Sequence, residues 1–319
     1  MNILILGGTG FIGPFVVREL LSRGHQVAVF HRGKSAADLS ASVQHILGER
    51  RDLADFAAPF QRFSPDVVLD MFAYFEADAL AAVQVTRGLA QRFVCVSSMD
   101  VYRAYGQLCG LESGAPDPQP FDEDAPLRSV LYPYRAQSKE PDDFLFRYDK
   151  IPVEKVVMSQ PDLPGTVLRL PMVFGPGDGQ HRLAAYLKSM DTGEDISLDE
   201  KQANWRTTRG YVEDVALAIA LAVTNKKAAG RIYNVGEKSA QTEREWVEKV
   251  GRIAGWRGKI KVAPSDAESE SEGWNYDLAA NTNRIRDELG FAEGVSPDEA
   301  LRRTLDWERA NLPQLQDNL

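Results

Sequence analysis

The sequence predicts an α/β fold: a doubly wound parallel sheet with a smaller C-terminal α/β lobe. Three observations carry this. The apolar run 2–6 opens directly into a glycine turn made by Gly7, Gly10 and Gly13. A helix-spaced segment and a second, β-branched apolar run follow at once, which makes a β-α-β unit, and such crossovers build parallel sheets. The run 67–71 has almost no polar residue, as expected of a strand covered on both faces.

The elements follow in order. Residues 2–6 read as the first strand. In 15–23 the apolar positions Phe15, Val16, Leu20 and Leu21 recur at helical spacing, and Gly24 stops the helix. Strands are predicted at 26–30, 43–47, 67–71 and 92–97, with helices at 53–63 and 77–89 between them. From 106 to 133 the pattern dissolves into Gly, Pro and Asp, which predicts a long loop. A short helix at 153–159 and a strand at 166–170, closed by Pro171, complete the first half. Later come helices at 212–223, 244–254, 282–289 and 297–310 and a strand at 232–235. The stretch 265–273, SDAESESEG, is acidic and poor in apolar residues, so it predicts a mobile surface loop. The expected division is a cofactor domain over 1–175, joined by 205–235, and a substrate lobe over 176–319.

Composition limits the function. The chain has 319 residues, 44% hydrophobic and 26% charged, within the globular range. A net charge of −9 argues against a general nucleic-acid binder, which needs positive surface to release counterions. The two cysteines, Cys95 and Cys109, form no disulfide framework or metal-type pair, and the four histidines are scattered, so no metal site is expected. No apolar run reaches the length of a membrane span. The first apolar run has no basic segment ahead of it, so it reads as a strand, and a cytoplasmic setting is expected.

The glycine turn carries chemistry. Its backbone must bend tightly and approach a pyrophosphate, and the next helix presents free N–H groups to the anion. Thr9, Phe11 and Ile12 belong to the same cradle. After the second strand an NAD site wants a carboxylate for the ribose hydroxyls, but the sequence offers His31, Arg32, Gly33 and Lys34. A guanidinium suits a 2′-phosphate, so Arg32 favours NADP over NAD.

The motifs GGTGFIG (7–13), LGER (47–50), VVLDMFAY (67–74), VSSMDVY (96–102), RLPMVFGPGD (169–178), GYVEDVA (210–216) and YNVGE (233–237) occur in this order. Together they resemble the extended short-chain dehydrogenase/reductase family, and within it the NAD(P)-dependent epimerase/dehydratase group. The resemblance covers nearly the whole chain and implies a Rossmann cofactor domain. It also implies a Ser/Thr, a Tyr base and a Lys that holds the nicotinamide ribose. Ser98, four residues before Tyr102, matches the family serine. Lys150 and Glu154 match the family's Lys and the Glu four residues after it, but the position four before Lys150 is Phe146.

Three readings remain open. Tyr148 is a relocated base; or Tyr132 or Tyr134 swings in; or Phe146 marks a lost base. In a regular helix, residues two apart point in nearly opposite directions. Pro152 belongs in a helix's first turn and Asp149 is a plausible N-cap, so Tyr148 would precede the helix.

The resemblance further implies Glu49 on the adenine, Phe72 and Ala73 beside the nicotinamide, and Pro171 and Val173 against its carboxamide. Met99 and Asp100 stand where dehydratases carry an Asp-Glu pair, which disfavours a full dehydratase and leaves Asp100 as a lone base or a turn carboxylate. Tyr134, His181, Arg182, Trp205 and Arg209 are the remaining substrate candidates, with the arginines as diphosphate clamps or as ordinary surface pairs. The expected activity is reversible hydride transfer on a nucleotide sugar or related polyol, by an epimerase or a dehydrogenase. The alternative is a cofactor-loaded regulatory or scaffold protein with a degenerate site, such as relatives with RNA-associated roles. Either a monomer or a homodimer fits the sequence.

Overall fold

The computed structural model describes residues 1–34, 39–265 and 270–311. Its centre is a seven-stranded, all-parallel sheet. Six strands come from the first half: β1 (Asn2–Leu6), β2 (Gln26–His31), β3 (Gln44–Leu47), β4 (Val67–Asp70), β5 (Arg92–Ser98) and β6 (Gly165–Leu170). The seventh, Arg231–Asn234, comes from the second half and pairs with β6, so the later chain returns to the sheet. The order is Arg231–Asn234, β6, β5, β4, β1, β2, β3. Direction of winding reverses between β1 and β4, and open sheets of this kind bind ligands outside the strand C-termini at that crevice.

Alternation along β1 builds both faces. Ile3 and Ile5 join Val27 and Val29 beneath helix α1 (Gly13–Ser22) and helix Val212–Thr224. Leu4 and Leu6 join Phe30, Val68 and Phe93 beneath α2 (Ala57–Phe63), α3 (Glu76–Thr86) and α6 (Lys150–Met158). Because both faces are covered, the strands are almost continuously apolar. Arg92 begins β5 and donates to the carbonyls of Ala222 and Asn225, at 3.2 and 3.1 Å, and to that of Val223. A cation at the C-terminal end of helix Val212–Thr224 satisfies its last acceptors and opposes its dipole.

Some boundaries differ from expectation. Strand β4 stops at Asp70, whose carboxylate accepts from the Phe72 N–H at 2.9 Å and turns the chain. The helix expected at 53–63 begins as a 3-10 segment, Arg50–Phe56, before α2. Within the expected loop 106–133, α4 (Arg103–Leu108) occupies the start. The helix expected at 153–159 starts three residues earlier, at Lys150, and a short turn α5 (Phe144–Arg147) precedes it. Part of the acidic stretch 265–273 lies outside the described residues, and its end enters a 3-10 turn, Glu270–Asn275.

The second half adds the helices Ala184–Thr192, Glu243–Ala254 and Pro297–Asn311. Strands Ile196–Asp199 and Ile260–Ala263 pair in parallel there. Near the sheet, Met172–Phe174 pairs in parallel with Arg209–Tyr211. No helix among the described residues is long and apolar enough to cross a membrane.

A buried polar network ties α6 to three strands. Glu154 receives the Ser97 hydroxyl at 2.6 Å and pairs with Arg169 at 2.7 Å. Arg169 also donates to the Tyr102 hydroxyl and the Glu123 carbonyl, both at 2.9 Å, and Tyr102 donates to Asn234 at 2.6 Å. Removing one partner strands a buried charge. Arg169→Ala should therefore lower unfolding free energy by about 3–5 kcal/mol in denaturant titration; a loss below about 1 kcal/mol contradicts the network's role. A Cβ on Gly13 would sit 2.3 Å from the Gly8 carbonyl carbon, which is backbone and cannot give way. Gly13→Ala should cost about 1–3 kcal/mol by the same titration, and an unchanged midpoint contradicts the close approach.

Candidate active site

A cavity of about 1030 Å³ opens at the C-terminal ends of β1, β4 and β5. The glycine turn forms one wall. Gly7 has φ +93°, which a side chain rarely adopts, and a Cβ there would press 3.2 Å from the Phe72 Cβ. A Cβ on Gly10 would meet nothing within 4 Å, so the turn leaves open space there. Helix α1 begins at Gly13 with no side-chain cap and a proline in its first two positions. An anion against this turn would find uncapped N–H groups and the positive dipole end, so the cradle fits a pyrophosphate.

Basic residues follow at one end. Arg32, Lys34, Arg50 and Arg51 line the cavity with Glu49. Lys34 and Glu49 are 3.5 Å apart and exposed. Arg50 differs in kind: its guanidinium grips Asp70 with two bonds, of 2.8 and 2.5 Å, and donates to the Asp78 carbonyl at 3.0 Å. It therefore braces the turn after β3 against the end of β4. Arg50 lies in LGER, one of the motifs that carry the resemblance, but its role is not apparent from the motif; its signal is a guanidinium following a strand end, with Asp70 closing the next strand.

The other end holds Ser98, Tyr148 and Lys150, all lining the cavity. Asp149 sets them apart. It is extended, at φ −162° and ψ 130°, and caps α6 by accepting from the Ile151 N–H at 2.9 Å. Tyr148 thus lies before the helix and Lys150 is its first residue. Lys150 is 3% exposed. Its ammonium donates to the Ala73 and Val96 carbonyls, at 2.6 and 3.1 Å, and lies 4.7 Å from the centre of the Tyr74 ring. Burial pulls its pKa down, while the nearby Cys95, Asp100 and Asp70 groups oppose that. An ammonium has three donors; two are taken by carbonyls and one remains for the cavity.

The Tyr148 hydroxyl donates to Asp100 at 2.8 Å. Burial raises the phenol pKa well above its usual value; the Asp100 charge and hydrogen bond add to this, and the Ser98 hydroxyl works the other way. Burial likewise raises the Asp100 carboxyl, partly offset by the bond from Tyr148 and by the Arg128 and Lys150 charges. Ser98 accepts from the Asp100 N–H at 3.2 Å. Aromatic rings cover this end. Tyr148 packs 6.0 Å from Tyr74 and 5.4 Å from both Phe144 and Tyr134.

Of the expected cofactor contacts, Gly7, Thr9, Gly10, Phe11, Ile12, Gly13, Arg32, Glu49, Phe72, Pro171 and Val173 line the cavity. Ala73 is fully buried behind it and offers only its carbonyl, to Lys150. The substrate candidates divide. Arg182 lines the cavity, held to Asp178 at 2.6 Å and to the Val173 carbonyl at 3.0 Å. Asp100 and Tyr134 stand behind Tyr148. Neither lines the cavity, and three further candidates do not reach the lining either, each for a packing reason. His181 bonds Glu308 at 2.7 Å and stacks on Trp307 at 5.3 Å. Trp205 is buried with Met99, Tyr102 and Leu278, its indole N–H on the Tyr276 carbonyl at 2.9 Å. Arg209, 3% exposed, is paired with Glu243 and lies 4.6 Å from the Trp246 ring centre. Phe146 also lies outside the lining; Arg135 stacks over it at 4.6 Å. Among the described residues no group of three or more His, Cys, Asp or Glu is placed to hold a metal.

Several known proteins are similar to this chain in sequence or fold. The chain is 26% identical over 251 residues to the chloroplast stem-loop binding protein of 41 kDa b from Arabidopsis thaliana; the match takes in 74% of this chain and 59% of that protein's length. It is 25% identical over 327 residues to a 3-diazoavenalumate denitrifying reductase from a Streptomyces species, across 100% of this chain and 99% of the other. The fold matches the UDP-glucose 4-epimerase of Thermotoga maritima, solved with UDP-glucose, at a TM-score of 0.70 and 20% identity, over 97% of this chain and 99% of that one. Residues 3–236 match the NAD dependent epimerase/dehydratase family across most of the chain. With its glycine cradle, parallel sheet and strand-end cavity, the chain belongs to the NAD dependent epimerase/dehydratase family.

Proposed function

We propose that the protein is an NAD(P)-dependent oxidoreductase or epimerase that moves a hydride reversibly between a nicotinamide and a carbinol of a nucleotide sugar or related polyol. One observation carries the reading. Ser98, Tyr148 and Lys150 line the same cavity as the glycine turn, so a dinucleotide lying across it has its reactive end beside a hydroxyl, a phenol and an ammonium. The bound nicotinamide supplies the hydride acceptor. The chain's own residues do the rest. The glycine turn and the start of α1 would hold the pyrophosphate, and Lys150 would hold the ribose. Ser98 orients the reacting oxygen and Tyr148 exchanges its proton. Tyr74, Phe144 and Tyr148 would give the reacting carbon an aromatic wall on one side.

The cofactor expected is NADP before NAD. Arg32 and Lys34 follow β2, where a carboxylate would pair with the ribose hydroxyls of NAD, and a planar guanidinium there matches phosphate oxygens. The family and the likeness to a UDP-glucose epimerase support a nucleotide sugar. Arg182 is the candidate diphosphate contact, because it lines the cavity and Arg209 does not. A second reading, a cofactor-loaded binding protein without turnover, draws on the partial likeness to a stem-loop binding protein.

Two measurements test this. In calorimetric titration the parent should bind NADP more tightly than NAD. Arg32→Ala should lose about 10-fold or more for NADP, roughly the worth of one charge-assisted bond, and little for NAD; tighter NAD binding by the parent contradicts the preference. Tyr148→Phe should bind cofactor normally but reduce it about 100- to 10,000-fold more slowly with UDP-, GDP- and dTDP-sugars. A parent that binds cofactor and turns over none of these sugars contradicts the enzyme reading and leaves the binding protein.

A further inference from the structure

The family pattern pairs the tyrosine with its lysine, but in this chain the tyrosine is bonded elsewhere. Tyr148 donates its hydroxyl proton to Asp100 Oδ2 at 2.8 Å. Lys150 spends two of its three donors on the Ala73 and Val96 carbonyls. Asp100 is 6% exposed, yet its Oδ1 has no hydrogen-bond partner among the described residues. A buried carboxylate oxygen without a partner carries a desolvation cost and calls for an explanation. The bonding continues outward: Tyr134 donates to Asp100 Oδ2 at 3.4 Å, and the Tyr134 and Tyr105 hydroxyls are 2.8 Å apart. Tyr105 in turn adjoins the exposed Cys109. An unbroken line of exchangeable protons therefore runs from the cavity wall toward the surface.

We infer that Asp100 is the proton store of this site: Tyr148 passes the substrate's hydroxyl proton to it rather than working as a standing phenolate, and Tyr134 and Tyr105 connect it to solvent. The inference rests on the hydride-transfer reading above. In the oxidation direction the substrate O–H bond breaks and its proton goes to the Tyr148 oxygen. The Tyr148 O–H bond breaks in the same event and its proton goes to Asp100 Oδ2. The carbinol carbon loses a hydride, with its electron pair, to the oxidised nicotinamide, and the carbonyl forms. The phenol is neutral before and after, and the carboxylate becomes a carboxylic acid. Reduction runs the same path backwards from protonated Asp100.

Geometry and electrostatics agree. Burial and the Asp100 charge both disfavour a Tyr148 phenolate, whereas one proton shared through Asp100 leaves no new buried charge. Tyr148, Lys150 and Asp149 face Asp100 from the α5–α6 side, Tyr134 and Arg128 from the loop before it, and Tyr105 and Cys109 from α4. Arg128 lends its Nε to the Asp100 carbonyl, so the backbone of Asp100 is fixed independently of its carboxylate. Asp100 is therefore a positioning and relay residue that acts through Tyr148.

The test uses the whole chain with two readouts. In cofactor-free protein carrying ring-labelled tyrosine, the Tyr148 NMR signal is followed from about pH 4 to 9, with Tyr148→Phe for assignment. The parent should show an inflection as Asp100 titrates, and Asp100→Asn should lack it. In the second readout the pH dependence of cofactor reduction is measured with the UDP-, GDP- and dTDP-sugar panel. In the parent, oxidation should fall as pH drops through the Asp100 titration, because the protonated acid cannot accept. Asp100→Asn should lose that limb and about 100-fold or more in kcat with little change in KM, and Tyr134→Phe should slow turnover while keeping the limb. An absent inflection, or an Asp100→Asn profile equal to the parent's, overturns the relay alone. An inflection in a parent that turns over no sugar overturns the enzyme reading and the relay with it.

Discussion

The site depends on one buried carboxylate, Asp149. It is 1% exposed and holds three elements together. It caps α6 through the Ile151 N–H at 2.9 Å, accepts from the Tyr132 N–H at 2.7 Å, and pairs with the fully buried Arg128 at 3.0 Å. Its own N–H reaches the Tyr74 carbonyl at 3.3 Å. A charge taken this far from water survives only when its lone pairs are filled, and here the partners come from the loop 126–135, the turn after β4 and α6. The price of that burial is offset by what it fixes: the chain is extended at this residue, so its two neighbours are freed from helical geometry.

The spacing of the site follows from that break. Tyr148 and Lys150 are two apart, which inside a helix would send them to opposite sides. With Asp149 extended, both line the same cavity. The position differs from the family interval of four, and the bonding differs with it. Lys150 is anchored to the carbonyls of Ala73, in the turn after β4, and Val96, near the end of β5, while Tyr148 turns to Asp100. On the proposed reading, Lys150 and Tyr148 are therefore held by separate partners, strand-end carbonyls for one and Asp100 for the other.

Much of this was legible in the sequence. The β-α-β opening, the buried parallel strands and the family are written in local periodicity and in motifs that follow one another in order. The Asp149 cap and the placement of Tyr148 before the helix were readable from Pro152, because proline constrains only its immediate neighbourhood. The rest was not legible, since it depends on distant partners. Trp205, His181 and Arg209 look like ligand contacts by type, but each is consumed by a residue at least 34 positions away: Tyr276, Glu308 and Glu243. Arg50 is hidden for the converse reason, because its partner Asp70 reads as the end of a strand. The short strands Met172–Phe174 and Arg209–Tyr211 likewise exist only because they meet each other.

The central claim is that the reacting oxygen of a substrate comes to Tyr148, with Lys150 on the ribose, in a cavity shared with the glycine turn. The most direct measurement is a crystal structure of the protein with NADP and a nucleotide sugar bound. The account predicts the pyrophosphate against Gly10 and the start of α1, and the reacting oxygen about 2.6–3.2 Å from the Tyr148 hydroxyl. It also predicts Asp100 behind that hydroxyl, out of contact with the sugar. A sugar whose reacting oxygen lies against another side chain, with Tyr148 still turned to Asp100, would contradict it.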